Sequence, residues 1–509
     1  MPVAIVLALF VAWAAVFIRA TTVVTYDHSR VSCLFDDAMV SMRYAWNLAH
    51  GDGLVWNPGE RVEGYSNLLQ TLLMAALIAL FGKLNGVLAV QVIGIAVLLT
   101  FGVFALRFAE RMSKQGGLHV SPFWRGLYLA SALAYYPLAY WTLSGMETGL
   151  VAVGILAAAW YSLASPQDRV SWPLVVASGI ATLGRPDALV AVVVLFVFRL
   201  WGSPRHRRAV LVEATLVAAV VATAAAFRFL YYGEWVPNTY TLKIVGYPVG
   251  FRLAEGRRFI TPFLGTAALP LAIAVVGLVL RPGRWTALPV ALFGAAVGYQ
   301  VWIGGDAWDY WRFLAGSVPL LVLAAVVEAR IVVGAASTFS WRQDAVVLAV
   351  LAVMIWQLNA RFAPEVLFGA PPYEVEANGR AVNTGLALKA VTTEGATIGV
   401  FRAGAIVYFS ERRGVDFLGK SDRHIARLRP DLSGIEGRYG MRSVPGHNKY
   451  DLGYSILRLR PTYVERWQWG SQDVTAEVQA IYVKTFYKGV RLQLLQGSPD
   501  VRWNELDAR

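Results

Sequence analysis

Apolar residues in this chain gather into long blocks, near 2–24, 86–108, 126–143, 147–164, 172–184, 186–201, 209–230, 261–280, 286–303, 313–333 and 343–358. A helix that crosses a bilayer needs about 20 such residues, whereas runs of 10–14 fit a buried core helix. The pattern predicts about eleven membrane-crossing helices, two of them short for a full crossing. The first block lacks a basic leading region and is long for a signal-peptide core, so it reads as an uncleaved first helix. A twelfth block, SNLLQTLLMAALIALFG over 66–82, is ambiguous on hydropathy alone.

Charge resolves that ambiguity. Lys and Arg in short loops mark the cytoplasmic side. Arg107, Arg111, Lys114 and Arg125 form one cluster; Arg199, Arg205, Arg207 and Arg208 form another; Arg281 with Arg284 and Arg330 with Arg342 form two more. With eleven spans and a cytoplasmic N-terminus, all four fall on the cytoplasmic side. Counting 66–82 as a span would put the first cluster outside, so this block is expected to lie at, or dip into, the outer interface. The extracytoplasmic segments are then 25–85, 144–146, 185, 231–260, 304–312 and the tail from about 360.

The composition agrees: 57% of the 509 residues are hydrophobic and 16% charged, against about 25% charged in soluble domains. The net charge of +13 is spread among loops between apolar blocks, which argues for membrane topology and against nucleic-acid binding. Cys33 is the only cysteine, so no intramolecular disulfide is possible. From about 360 the apolar runs shorten and Gly and Pro punctuate them. ATIGVFRAGAIVYFSERRGVDFLGKSD reads as strand, helix, strand and loop, and LRPTYVERW as a further short strand. The expected architecture is a polytopic α-helical domain over 1–359, with a first outer loop at 25–85, followed by a small extracytoplasmic α/β domain over 360–509.

The outer segments hold the candidate chemistry. Asp36 and Asp37 stand side by side just past the first span. Either acid would serve as the cap of a helix starting at Ala38, but a cap explains one acid and not two. Arg43 lies seven residues from Asp36 and six from Asp37, poised to pair with an acid or to meet a phosphate. The remaining candidates are Glu63 and Tyr65, Glu147, Arg185 and Asp187, Asn238 and Lys243, Asp306, Asp309 and Arg312, and in the tail His447 and Lys449. Each has a plainer use, as a cap, an interface anchor or a solvated loop charge. Acids, bases and aromatic rings on one face suit a substrate that is part lipid, part phosphate and part sugar. Arg and Lys would hold the phosphate, and a carboxylate would take a hydroxyl proton.

The run FDDAMVSMRYAWNLAHGDGLVWNPGERVEGYSN closely resembles the first-loop motif of GT-C superfamily glycosyltransferases, nearest to the mycobacterial terminal β-(1→2) arabinofuranosyltransferase family. LSGMETGL, GRPDALV, YYGEWVPNTY, GGDAWDYWRF, AGAIVYFS with GVDFLG, and PGHNKYD continue the likeness in order from about 35 to 455. This chain is shorter than the mycobacterial enzyme, mainly in the tail. The resemblance implies a GT-C fold, an inverting transfer from a polyprenyl-phosphate sugar, and an acidic base that maps onto Asp36 or Asp37, with Asp36 the first choice. Donor contacts are expected at Arg43, Glu63, Tyr65, Lys243, Arg312 and His447, and acceptor contacts or structural support at Glu147, Arg185, Asp187, Asn238, Asp306, Asp309 and Lys449. No metal or other cofactor is expected, since users of polyprenyl monophosphates mostly do without one. The expected partners are a polyprenyl-phosphate-linked sugar, arabinofuranose first and mannose or another hexose second, a cell-envelope glycan or glycoprotein acceptor, and the lipid bilayer, with the active site outside the plasma membrane. The rival reading is a transporter or flippase for a lipid-linked sugar, which would place its polar residues near the membrane midplane.

Overall fold

The computed structural model describes residues 2–507 apart from 167, 202–206, 335–340, 434 and 436–437. Arg205 lies outside the described residues. Each of the predicted apolar blocks forms helix: Pro2–Ala20 opens the chain, Arg207–Tyr232 fills the block at 209–230, and Trp341–Asn359 fills the last. The first block overruns its helix, because Thr22–Val24 is a strand paired antiparallel with Arg30–Ser32. Block 126–143 is split at Ala134–Tyr135 into Pro122–Leu133 and Tyr136–Leu143, each led by a proline within its first turn. Such breaks shorten the helices. Among the described residues four are long and apolar enough to cross a membrane, or five if Val249–Thr266 and Ala268–Leu280, bent by 78°, form one span. Leu80, Leu230 and Val279 are each at least 74% exposed, which fits helices facing lipid. These features make a polytopic membrane protein.

Block 66–82 is helical but not an independent crossing. It forms the first limb of Leu68–Gln115, broken at Gly82 with φ 78°, a left-handed backbone that favours glycine. The second limb folds back, so that a Cβ on Gly86 would stand 3.1 Å from the Ile78 Cα. Both ends of the first limb are held by residues distant in sequence. Asn67 donates to Glu147 at 2.9 Å, and Lys83 pairs with Glu411 of the tail at 2.5 Å.

Two of the expected loop cations are core residues. Arg199 is fully buried and grips Glu213 with two hydrogen bonds of 2.6 and 2.7 Å. Arg330 donates to the Tyr128 hydroxyl at 2.5 Å and stacks over the Trp124 ring. A charge inside a membrane bundle needs such a partner, so neither residue reports on topology as a free loop cation would.

The tail carries a mixed five-stranded sheet in the order Arg413–Asp416, Thr397–Val400, Tyr463–Val464, Val490–Leu495, Tyr482–Tyr487. The first three strands are parallel and the last two form an antiparallel hairpin. The helix Ala405–Ser410 links the first two in the sequence. The tail is locked onto the first loop at two glycines. A Cβ on Gly404 would fall 2.0 Å from the Asp36 carbonyl, and one on Gly414 2.1 Å from the Trp56 ring. Trp56 donates its indole N–H to the Ala403 carbonyl at 3.2 Å, and Asn57 exchanges two 2.9 Å bonds with the Gly414 backbone. Overpacking of this kind costs about 1–3 kcal/mol. Gly404→Ala is therefore expected to lower the unfolding free energy by that amount, measured by thermal unfolding of the purified protein in detergent.

Candidate active site

Residues from six separate segments line one cavity of about 320 Å³, among them Asp37, Tyr65, Glu147, Arg185, Lys243, Asp306, Arg312 and Lys420. The segments are those that hydropathy and charge had grouped on one face.

The helix Asp36–Ala49 begins at the paired acids, with no side-chain cap on Phe35. Both acids sit in the first turn, where the helix dipole favours negative charge. Successive helical residues point about 100° apart, so the two diverge. Asp37 faces the cavity together with Val40 and Ser41, one turn on. Asp36 faces the tail and accepts the backbone N–H groups of Gly404 at 3.3 Å and Ala405 at 3.0 Å, with Arg402 at 4.0 Å. Asp36, the acid expected first as the base, does not line the cavity, because its carboxylate is committed to the start of the Ala405–Ser410 helix. Arg43, two turns beyond Asp36 on the same side, donates to the carbonyls of Trp56 and Arg412 and does not line the cavity.

Asp37 is held by two cations. Lys420 of the tail pairs with Oδ1, and Arg312 donates to Oδ2 at 3.0 Å. Burial would raise the Asp37 carboxyl, but Lys420, Arg312 and Lys243 outweigh it and hold the group well below the usual carboxylate range. Arg312 also makes a bidentate pair with Asp306, at 2.8 and 3.0 Å. On the far wall Arg185 bridges Glu147 at 2.6 Å and Asp187 at 2.8 Å. Lys243 lines the cavity and, among the described residues, makes no ion pair or hydrogen bond. Burial, with Arg312 adding to it, lowers its ammonium to about 8.

The other expected site residues serve the frame. Glu63 pairs with Arg228 at 2.5 Å, and burial lifts its carboxyl to about 7. Tyr65 lines the cavity and shares a 3.1 Å hydrogen bond with Tyr232. Asp309 pairs with Arg361. Lys449 donates to the carbonyls of Thr241 and Ala426, tying Asn238–Ile244 to the tail. His447 packs against Trp308 and Trp469, and burial, with Lys420 adding to it, lowers its imidazole to about 4. Asn238 donates to the carbonyls of Gly419 and Lys420, each at 2.9 Å. Arg43, Asp309, His447 and Lys449 thus do not line the cavity.

Lys420 was not foreseen from the sequence. It directly follows the GVDFLG motif, but nothing in a single tail lysine shows that it reaches the first loop. Among the described residues, no three His, Cys, Asp or Glu side chains gather as a ligand set for a metal ion.

A second cavity of about 80 Å³ adjoins the first and shares Arg185, Asp187, Tyr299, Arg312 and Phe313 with it. Its remaining walls are mainly apolar, from Thr148–Ala164, Leu189–Trp201, Arg284–Trp302 and Val318–Gly334. The polar cavity therefore opens onto an apolar cleft between helices at Arg312.

Residues 46–247 match the Alg9-like mannosyltransferase family, and residues 372–498 match a Domain of unknown function (DUF8728). The chain is 28% identical over 269 residues to the terminal β-(1→2)-arabinofuranosyltransferase of Mycobacterium tuberculosis, covering 49% of this chain and 41% of that one. It is 30% identical over 343 residues to the enzyme of the same name from Corynebacterium glutamicum, covering 57% and 46%. The matches thus span less than half the length of these curated relatives. The fold is that of ArnT from Cupriavidus metallidurans, with a TM-score of 0.52 and 15% identity to the apo form, and 0.50 and 12% to the form bound to undecaprenyl phosphate. Each covers 80% of this chain and 85% of the other. The family match and the names of the curated relatives point to one class, the glycosyltransferases, and the solved structures share the fold.

Proposed function

We propose that this protein is an inverting glycosyltransferase that moves arabinofuranose from a polyprenyl-phosphate donor to a hydroxyl of a cell-envelope glycan or glycoprotein, on the outer face of the plasma membrane. The observation that carries this reading is Asp37, set among Lys243, Arg312 and Lys420 where a polar cavity meets an apolar cleft. The prenyl chain lies in the cleft, the phosphate at Arg312 and Lys243, and the sugar in front of Asp37.

The reaction is a single displacement. The acceptor oxygen bonds to the anomeric carbon as the bond from that carbon to the phosphate oxygen breaks. The bonding electrons leave with the polyprenyl phosphate, and the hydroxyl proton passes to Asp37. Cations stabilise the phosphate as it gains charge, and the anions around the cavity favour a cation-like sugar. Charge neutralisation by these side chains leaves no step that needs a metal, so we read the enzyme as metal-independent. The names of the curated relatives support arabinofuranose, whereas the Alg9-like match supports mannose as the alternative sugar.

Two outcomes test the assignments. Loss of a general base lowers turnover by about 10²–10⁴-fold. That loss is expected for Asp37→Asn, with decaprenyl-phosphate arabinose as donor, while Asp36→Asn keeps most of its turnover because its amide oxygen still accepts the shorter of the two tail bonds, from the Ala405 N–H. Equal losses in the two variants would remove the distinction drawn here. The second outcome is a pH dependence. Lys243 binds phosphate as the ammonium form, so the apparent donor KM is expected to hold below about pH 8 and to rise above it. Lys243→Arg should abolish that rise, because arginine stays charged throughout; a rise that persists in this variant contradicts the role.

A further inference from the structure

Resting on that reading, we propose that Lys420 is itself a ligand of the donor's phosphate, and that it passes from Asp37 to the leaving group during transfer. This gives the domain of unknown function a part in the active site.

The backbone of Lys420 is fixed on both sides. Asp416 accepts the N–H groups of Leu418 at 3.0 Å, Gly419 at 3.1 Å and Ser421 at 2.7 Å. Asn238 holds the Gly419 and Lys420 carbonyls from the opposite side, and the Tyr44 hydroxyl lies 3.3 Å from Ser421 Oγ. The side chain keeps its freedom. Four rotatable bonds carry its ammonium, and Asp37 is its one ion-pair partner among the described residues. Arg312 differs, because Asp306 grips it in two places and keeps it in position whatever happens at Asp37. Lys420 is therefore the cation in this cluster that can change partners.

The reaction moves charge along the same line. The donor is a phosphodiester with one negative charge, and the product is a phosphomonoester that approaches two. Asp37 goes from one negative charge to none as it takes the proton. A cation held by Asp37 at the start is thus attracted more strongly to the phosphate at the end. The pairing also keeps Asp37 a weak base until a phosphate competes for Lys420, which couples proton uptake to the presence of donor.

Asp37→Asn imitates the protonated base, and undecaprenyl phosphate serves as the probe of the product state. With the full chain in detergent, Asp37→Asn is expected to bind undecaprenyl phosphate about tenfold more tightly than the unmodified protein, the order of one charge-assisted hydrogen bond gained when Lys420, released from Asp37, turns to the phosphate. The double variant Asp37→Asn, Lys420→Met should bind no more tightly than Lys420→Met alone, and Asp37→Asn, Lys420→Arg should keep the gain, with thermal unfolding to confirm that each is folded. If Asp37→Asn binds no more tightly, or if the gain survives Lys420→Met, the exchange is overturned. These are binding readouts, so they stand apart from the assignment of the base. An Asp37→Asn enzyme that transferred sugar at the unmodified rate would sink that assignment whatever its affinity.

Discussion

The ion pair between Asp37 and Lys420 joins the two ends of the chain. One partner starts the helix after the first apolar block, the other closes a turn in the tail, 383 residues away. Taking two charges out of water is costly unless each finds a partner and further hydrogen bonds. Here Arg312 and Asp306 extend the pair, while Asp416 and Asn238 fix the turn that carries Lys420. The membrane helices supply Arg312 through the loop before Val318–Gly334, so the cavity exists only when loop, bundle and tail are all in place. In this fold the tail is a wall of the site.

That arrangement also explains how a concentrated set of charges is tolerated beside apolar helices. Four carboxylates, Asp37, Glu147, Asp187 and Asp306, face four cations, Arg185, Lys243, Arg312 and Lys420. Arg185 and Arg312 each hold two carboxylates, which leaves Lys243 without an ion pair among the described residues. A cavity with a spare cation at the edge of an apolar cleft has the polarity of an amphiphile with an anionic head. Ordinary buried pairs in the same molecule, such as Arg199 with Glu213, are closed on themselves and fully buried.

The apolar blocks were legible because a bilayer demands long runs of one kind of residue, and each block proved helical. Their ends were less legible. Thr22–Val24 is apolar enough to extend the first block, yet β-branched residues suit the strand it forms. Arg199 and Arg330 looked like loop cations because a sequence shows charge and not its partner. Counting charges set 66–82 apart from the crossing helices, but the break that separates it from the second limb comes from Gly82, which charge does not show. At the site, the spacing of Asp36 and Arg43 showed that they share a helix face, but not that this face meets the tail. Asp36 and Asp37 are adjacent, and a step of one residue along the helix is enough to send them into different surroundings. Lys420 was hidden for the opposite reason, since its partner lies far away in sequence and the turn that aims it depends on Asp416 and Asn238.

The central claim is that the phosphate of a polyprenyl-linked sugar sits beside Asp37. An electron cryomicroscopy map of the full chain with a non-transferable polyprenyl-phosphate sugar analogue tests it most directly. The account predicts phosphate density within about 3 Å of the Arg312 and Lys243 nitrogens, with the prenyl chain in the apolar cleft and the anomeric carbon facing the Asp37 carboxylate. Phosphate density away from this cavity, or a sugar turned away from Asp37, would contradict it.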